Sequence, residues 1–308
     1  MTPPLTVAAF LEAHMGEAFA LTTAMMWAMG VIFFKKSGET VHPVALNLFK
    51  GTFAGVLLLP TMAVLGRPMF IDAPAWEYGV MLAGGAVGLG ISDTFFFMAL
   101  NRLGAARTAI IDCLYSPSMI LFAAILLGER LNAWQLVGVA MIISAVLVGN
   151  KDKEGKDITT RDVLLGMLWG TLAMTTMAIS IVGIKPVLER WPLLWSMEMR
   201  LVGGNIMLLL MLPFYRNWRS QLVSLVTPSN WRYMAPAAFF GTYLALVLWL
   251  GGMKYTEASI AGALNQTANL FIFLFAWIFL RETITWNRAL GILIGVAGVI
   301  LVTTVRGG

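Results

Sequence analysis

The sequence is poor in the residues that carry most catalytic and metal chemistry. Of its 308 residues one is cysteine, two are histidine and 12% are charged, against roughly 25% charged in an ordinary soluble domain. Cys113 has no second cysteine to pair with, which excludes an internal disulfide framework. His14, His42 and Cys113 cannot supply the four ligands of a zinc site. No metal and no cofactor are expected. The chain has no HExxH and no GxSxG, so a metallo- or serine hydrolase would lack its machinery. It has no GxxxxGK[ST] either, and nothing supports ATP-driven transport.

What is abundant points to lipid. Hydrophobic residues make up 59% of the chain, with 30 Gly, 20 Met and 11 Trp, and the mean hydropathy is +0.80. A soluble chain of this composition could not cover itself with polar surface, whereas Gly and interfacial Trp are enriched in membrane helices. The net charge of +5 comes from basic residues set between apolar runs without forming a patch. They read as topology signals, not as a nucleic-acid surface.

Apolar segments fall at about 17–34, 43–65, 76–100, 105–127, 132–149, 162–184, 192–215, 231–253, 258–280 and 286–305. Each is near the ~20 residues that cross a ~30 Å hydrocarbon core. Short joints with helix punctuation separate them, such as Lys35-Lys36-Ser37-Gly38 and Gly66-Arg67-Pro68. The runs exceed strand length, and backbone in lipid must be satisfied internally, so the fold is an all-α membrane bundle of ten helices. Residues 1–16 lack the basic start of a signal peptide and suggest an interfacial helix. The polar stretch 150–161 reads as a linker between a first half, 17–149, and a second, 162–305.

The halves resemble each other. An offset of 153 carries Ala105 onto Ala258, Leu121-Phe122-Ala123 onto Leu274-Phe275-Ala276, Glu129 onto Glu282 and Gly138 onto Gly291. Near the start of each half an offset of 150 carries Lys35 onto Lys185 and Lys50 onto Arg200. Five crossings is an odd number, so the second copy enters from the opposite face. That is the inverted repeat of secondary transporters, whose substrate site lies near the midplane between the repeats.

Two five-helix halves, each with an apolar fourth segment running into Glu and then a Gly-containing fifth, resemble an EamA-type member of the drug/metabolite transporter superfamily. The residues that carry this are Gly128-Glu129-Arg130, Arg281-Glu282-Thr283, Gly138, Gly291, Gly295 and Gly298, with Ala99-Leu100, Ala105 and Pro117. One departure is Leu270 at the position matching Pro117, so no kink is implied in the ninth helix. The resemblance implies export or exchange of small metabolites, amino acids, amines or drugs. It also implies a multi-pass protein of the bacterial inner membrane, monomeric or homodimeric, with cytoplasmic termini. Counted over the loops, Lys and Arg are about twice as many on the side opposite the termini, and the positive-inside rule therefore votes for the other orientation.

A charge at the bilayer centre costs roughly 2.5–3.5 kcal/mol on insertion scales, so intramembrane ionisable residues are candidates for function. Lys50, Asp93, Asp112, Glu198 and Arg200 qualify. Asp112 and Ser116 share a helix face, and the repeat carries them onto Asn265 and Asn269. With Tyr115 and Gln266 they form a polar cluster proposed as the floor of a substrate site. The alternative is interhelical hydrogen bonding alone, worth about 0.6 kcal/mol per contact. Lys50 and Arg200 would favour an anionic or zwitterionic ligand, unless Glu198 neutralises one of them in a structural pair. Asp93, Asp112 and Glu198 are candidates for proton coupling. Trp27, Trp169 and Tyr243 are candidate pathway aromatics. The run Gly84-Gly85-Ala86-Val87-Gly88-Leu89-Gly90 reads as a packing surface, not a phosphate cradle. Glu129 and Glu282 read as structural caps.

Rival classes are a passive channel, a lipid-handling membrane protein, and an intramembrane aspartyl enzyme built on Asp93 and Asp112, since two carboxylates can share a proton.

Overall fold

The computed structural model describes residues 15–127, 133–149, 159–215, 218–255, 264–265 and 267–304. Among them every regular element is helical. The helices are α1 (Met15–Ser37), α2 (Pro43–Val64), α3 (Ala75–Gly85), α4 (Asp93–Leu103), α5 (Ala105–Asp112), α6 (Tyr115–Leu127) and α7 (Ala133–Gly149). The later part of the chain adds α8 (Thr160–Leu188), α9 (Leu193–Met211), α10 (Trp218–Val226), α11 (Pro228–Ala238), α12 (Ala245–Tyr255), α13 (Ala268–Leu280) and α14 (Trp286–Thr304). Two wider π-helical stretches join α3 to α4 (Ala86–Ser92) and α11 to α12 (Phe239–Leu244).

Among the described residues seven spans are long and apolar enough to cross a membrane: Met15–Ser37, Pro43–Val64, Ala75–Leu103, Ala105–Leu126, Thr160–Leu188, Leu193–Phe214 and Pro228–Leu250. Three shorter apolar stretches, Leu136–Gly149, Ala268–Leu280 and Trp286–Leu301, fall in the fifth, ninth and tenth apolar segments. Glu129, Arg130 and the linker residues 150–158 lie outside the described residues, as does the N-terminal segment up to residue 14. Helix α8 starts at Thr160, two residues earlier than the apolar run. There Thr159 caps it in a reciprocal box with Asp162, which satisfies two orphan donors.

Sequence reading gave the stretch between α9 and α11 no helix, and α10 fills it. Nine residues are too short to cross a bilayer. Trp218 and Leu222 instead pack on Val44, Leu48, Leu208 and Leu212, so α10 closes one end of the pair α2 and α9.

Outward-facing Val56, Leu121, Ile125, Leu147, Leu168, Leu209, Phe279 and Leu293 are each exposed, an apolar belt that water would not tolerate. The interior is packed through small residues, since lipid tails offer no hydrophobic drive between helices and close backbone approach must replace it. Ala20, Ala24 and Ala28 form a fully buried stripe on α1. A Cβ at Gly30 would collide with the backbone of Gly241, and one at Gly85 with the backbone of Arg200.

The fourth apolar segment is broken. Helix α5 ends at Asp112, Cys113 and Leu114 form a turn, and α6 begins at Tyr115 with Pro117 in its first turn. Proline belongs there because its missing N–H is an orphan in any case. In the ninth segment Leu264 and Asn265 are helical, Thr267 is a turn and α13 starts at Ala268. This second break needs no proline; the Thr267 hydroxyl and backbone N–H both donate to the Leu264 carbonyl.

At its far end α13 stops on Arg281, held at φ 55° in the left-handed region. That turn sends Glu282 across to α5, where its carboxylate accepts the backbone N–H groups of Ala105 (2.7 Å) and Ala106 (3.0 Å). A carboxylate at a helix N-terminus is doubly favoured, by the orphan donors and by the helix dipole. Gly104 makes room for it, with φ 83° and a Cβ position only 2.7 Å from Glu282 Oε1. Lys35 Nζ donates to the Asn101 carbonyl beside them. Gly104→Ala is expected to lower stability by about 1–2 kcal/mol through the left-handed backbone, and Glu282→Ala by a similar amount. The double variant should lose less than the sum, measured by denaturant unfolding in detergent, because both substitutions damage one cap.

Candidate functional site

The site forms where regular helix gives way. In the π-helical stretch Ala86–Ser92 the hydrogen-bond ladder is displaced and carbonyls need other partners. Asn47 on α2 supplies them: its Nδ2 donates to the carbonyls of Leu89 (2.8 Å) and Gly90 (3.0 Å) and to Thr94 Oγ1 (3.1 Å). Ser92 Oγ donates to the Ala173 carbonyl on α8 at 2.7 Å, and Ser180 Oγ donates to the Gly84 carbonyl at 2.6 Å. The glycine run thus serves two ends. Gly84 and Gly88 let α8 approach at Ile184 and Ser180, and the widened turn beyond them sets Asp93 at the head of α4.

Asp93 forms a buried ion pair with Lys50 of α2, and Lys50 Nζ also lies 5.8 Å above the Phe97 ring. Two adjoining cavities open beside this pair. The smaller, about 270 Å³, is lined among others by Ser92, Phe96, Asp112, Met174 and Asn269. The larger, about 410 Å³, is lined among others by Thr23, Lys50, Leu89, Thr242 and Trp249. Trp27, Asp93, Tyr115, Met177 and Asn265 border both.

Seven of the residues singled out from sequence therefore meet: Trp27, Lys50, Asp93, Asp112, Tyr115, Asn265 and Asn269. Asn269 is within hydrogen-bonding reach of the Asp112 carboxylate, and its Nδ2 donates to Cys113 Sγ at 3.5 Å. The other described residues of that set line neither cavity. Ser116 is buried and lies beyond the turn at Cys113 and Leu114, where the continuous helix that would set it on one face with Asp112 is interrupted. Trp169 stacks on Phe95 with ring centroids 5.1 Å apart. Tyr243 lies in the second π-helical stretch, whose altered register directs Gly241 and Thr242 to the cavity, while its hydroxyl bonds Thr61 Oγ1 at 2.7 Å. Gln266 lies outside the described residues.

Glu198 does not pair with Lys50 or Arg200. It is buried against Gly55 of α2, and its Oε2 has no hydrogen-bond partner among the described residues. Arg200 sits behind the first π-helical stretch, its Nη2 3.2 Å from the Cβ position of Gly88, within electrostatic range of Tyr115 and Asp93. Sequence reading placed only Lys50 and Arg200 among the intramembrane cations, yet Arg107 and Arg288 are buried as well. It missed Thr23, Ser92, Phe96, Met174, Met177, Thr242 and Trp249. Ser92 carried a signal, since it abuts Asp93; the two methionines carried none.

The sequence model of the EamA-like transporter family matches residues 14–150 and 164–304. The chain belongs to the EamA-like transporter family. It is similar to an uncharacterized transporter of Archaeoglobus fulgidus, 22% identical over 283 residues, which are 92% of this chain and 95% of that one. The uncharacterized inner membrane transporter YhbE of Escherichia coli is 27% identical over 184 residues, 58% of this chain and 56% of that protein. Protein PecM of Dickeya dadantii is 24% identical over 288 residues, 92% of this chain and 91% of its own. A solved crystal structure shares the fold with a TM-score of 0.66 at 18% identity, covering 93% of this chain and 96% of the other. This EamA-family protein is accordingly an integral, multi-pass membrane transporter.

The Lys50–Asp93 pair is testable directly. Removing one member of a buried pair strands a charge and typically costs 3–5 kcal/mol, whereas replacing both is often near neutral. Lys50→Met alone is expected to lower stability in detergent by about 3 kcal/mol, and Lys50→Met with Asp93→Leu to recover most of that loss in a denaturant titration.

Proposed function

We propose that this protein is a secondary active transporter, an exporter or exchanger of a small polar metabolite, amino acid, amine or drug. It works by alternating access between two inverted five-helix halves, residues 17–149 and 162–305. The observation that carries the reading is a polar cavity shared by both halves. Asp93, Asp112 and Tyr115 come from the first; Thr242, Trp249 and Asn265 come from the second. In family transporters built this way the substrate site lies at the repeat interface, often beside discontinuous helices.

Support for the repeat comes from the irregularities. The offset of 153 carries the π-helical stretch beginning at Ala86 onto the one beginning at Phe239. It also carries the turn at Cys113-Leu114 onto residues 266–267, where Thr267 forms a turn. The family's sequence model matches each half separately. On this reading the shorter helices α7, α13 and α14 complete ten crossings, and the termini face the cytoplasm of a bacterial cell. A C-terminal reporter active in only one compartment tests the orientation.

Buried carboxylates give the cycle a means of coupling to protons. Asp93 is engaged by Lys50, Glu198 lies off the cavity, and Asp112 faces it. Asp112 is the residue assigned to coupling. Asp112→Asn is expected to leave the protein folded and to abolish uptake driven by a pH gradient in proteoliposomes. Wild-type, pH-dependent transport in that variant removes Asp112 from the mechanism. Counterflow separates carrier from channel: trans-loaded substrate should accelerate labelled uptake several-fold, and a channel would show no such stimulation.

A further inference from the structure

The donors and acceptors of the smaller cavity do not balance. Ser92 has spent its hydroxyl proton on the Ala173 carbonyl. Asn269 has turned its amide nitrogen to Cys113 Sγ and the Asp112 carboxylate, and Lys50 has given its ammonium to Asp93. The lining atoms that are buried and left open among the described residues are both acceptors. Asn265 Oδ1 and Asn269 Oδ1 are buried with no hydrogen-bond partner among the described residues. Asn269 is 1% exposed. Among the described residues the charged group acting on Asp112 is another carboxylate, Asp93. Buried acceptors left open cost free energy, and a carboxylate with no counter-charge costs more.

We propose that this end of the cavity binds the ammonium group of a primary amine whose body is apolar or aromatic. The proposal rests on the reading of the cavity as the substrate site. A primary ammonium brings three N–H donors and no acceptor, one each for the Asp112 carboxylate, Asn265 Oδ1 and Asn269 Oδ1. Trp27, Phe96 and Tyr115 border the same space and present aromatic faces to the cation and to the apolar body behind it. A carboxylate ligand would meet acceptors and a like charge. Lys50, the cation that would attract it, is already neutralised. An alcohol would satisfy one acceptor and leave the carboxylate uncompensated.

The test uses the full-length wild-type protein in detergent and four probes of one shape: phenethylamine, its N,N,N-trimethyl derivative, 2-phenylethanol and 3-phenylpropionate. Binding is read by calorimetry and by tryptophan fluorescence. Phenethylamine should bind at least tenfold tighter than each of the other three. Asp112→Asn, checked as folded by its thermal midpoint, should weaken phenethylamine at least tenfold, and by at least fivefold more than it weakens 2-phenylethanol. The wild-type ranking alone decides the matter should that variant not fold. Equal affinity of the trimethyl derivative, tighter binding of the alcohol or the carboxylate, or no binding of phenethylamine overturns the proposal. Counterflow is measured separately. An amine that binds through Asp112 but shows no trans-stimulation counts against the carrier, not against ammonium recognition. Counterflow of a carboxylate through the same cavity upholds the carrier and overturns the amine.

Discussion

The constraint behind this structure is that a backbone carbonyl released from its helix inside hydrocarbon has no water to turn to. Each irregularity must therefore be built together with its own donor. The first π-helical stretch exists because Asn47 reaches across from α2 to two of its carbonyls and Thr94. Ser92 and Ser180 tie the flanks to α8. These side chains fix the relative positions of α2, α4 and α8 more tightly than apolar packing would, because a hydrogen bond has a direction and a methyl contact does not. A widened turn cannot pack as closely as a straight helix, and the cavity opens beside it.

The ion pair of Lys50 and Asp93 follows from the same geometry. Asp93 heads α4 at the point where the ladder resumes, so its carboxylate projects beside the widened turn instead of into a helix interface. Lys50 lies three residues after Asn47 on α2, on the same face. The residue that satisfies the backbone and the residue that neutralises the carboxylate are thereby one turn apart. One helix face of α2 does both tasks, and for that reason the lysine is engaged and not an open anion site.

Element positions were legible in the sequence because hydropathy reports which stretches lie in lipid; charge scarcity picked out Lys50, Asp93 and Asp112 at the cavity, and the repeat offset added Asn265 and Asn269. The departures are local. Ser116 was misplaced because face arithmetic assumes a continuous helix, and the turn before Tyr115 resets it. Arg107 and Arg288 looked like loop charges because they sit near segment ends, where composition cannot tell a buried guanidinium from a solvated one. Met174 and Met177 had no signal at all, since a methionine facing a cavity and one facing a neighbour have the same spacing. Helix α10 was invisible for the opposite reason, being amphipathic and too short for a hydropathy window.

On the proposed repeat, the two halves share backbone devices and differ in side chains. The break after Asp112 has Pro117 in its first turn, whereas the break before Ala268 relies on the Thr267 hydroxyl. The left-handed end of α13 falls on Arg281, where the offset sets Gly128 in the other half. Most consequential is the site itself. The offset carries Asp112 onto Asn265, and Asp93 onto Leu246, so both carboxylates at the cavity come from the first half. An exact two-fold arrangement would place like charges opposite one another at the centre, where mutual repulsion and desolvation act together. Replacing one copy by an amide keeps the acceptor oxygen and discards the charge. The cavity gains a negative pole on one side and neutral acceptors on the other, and a ligand entering it meets a direction that the backbone alone does not provide.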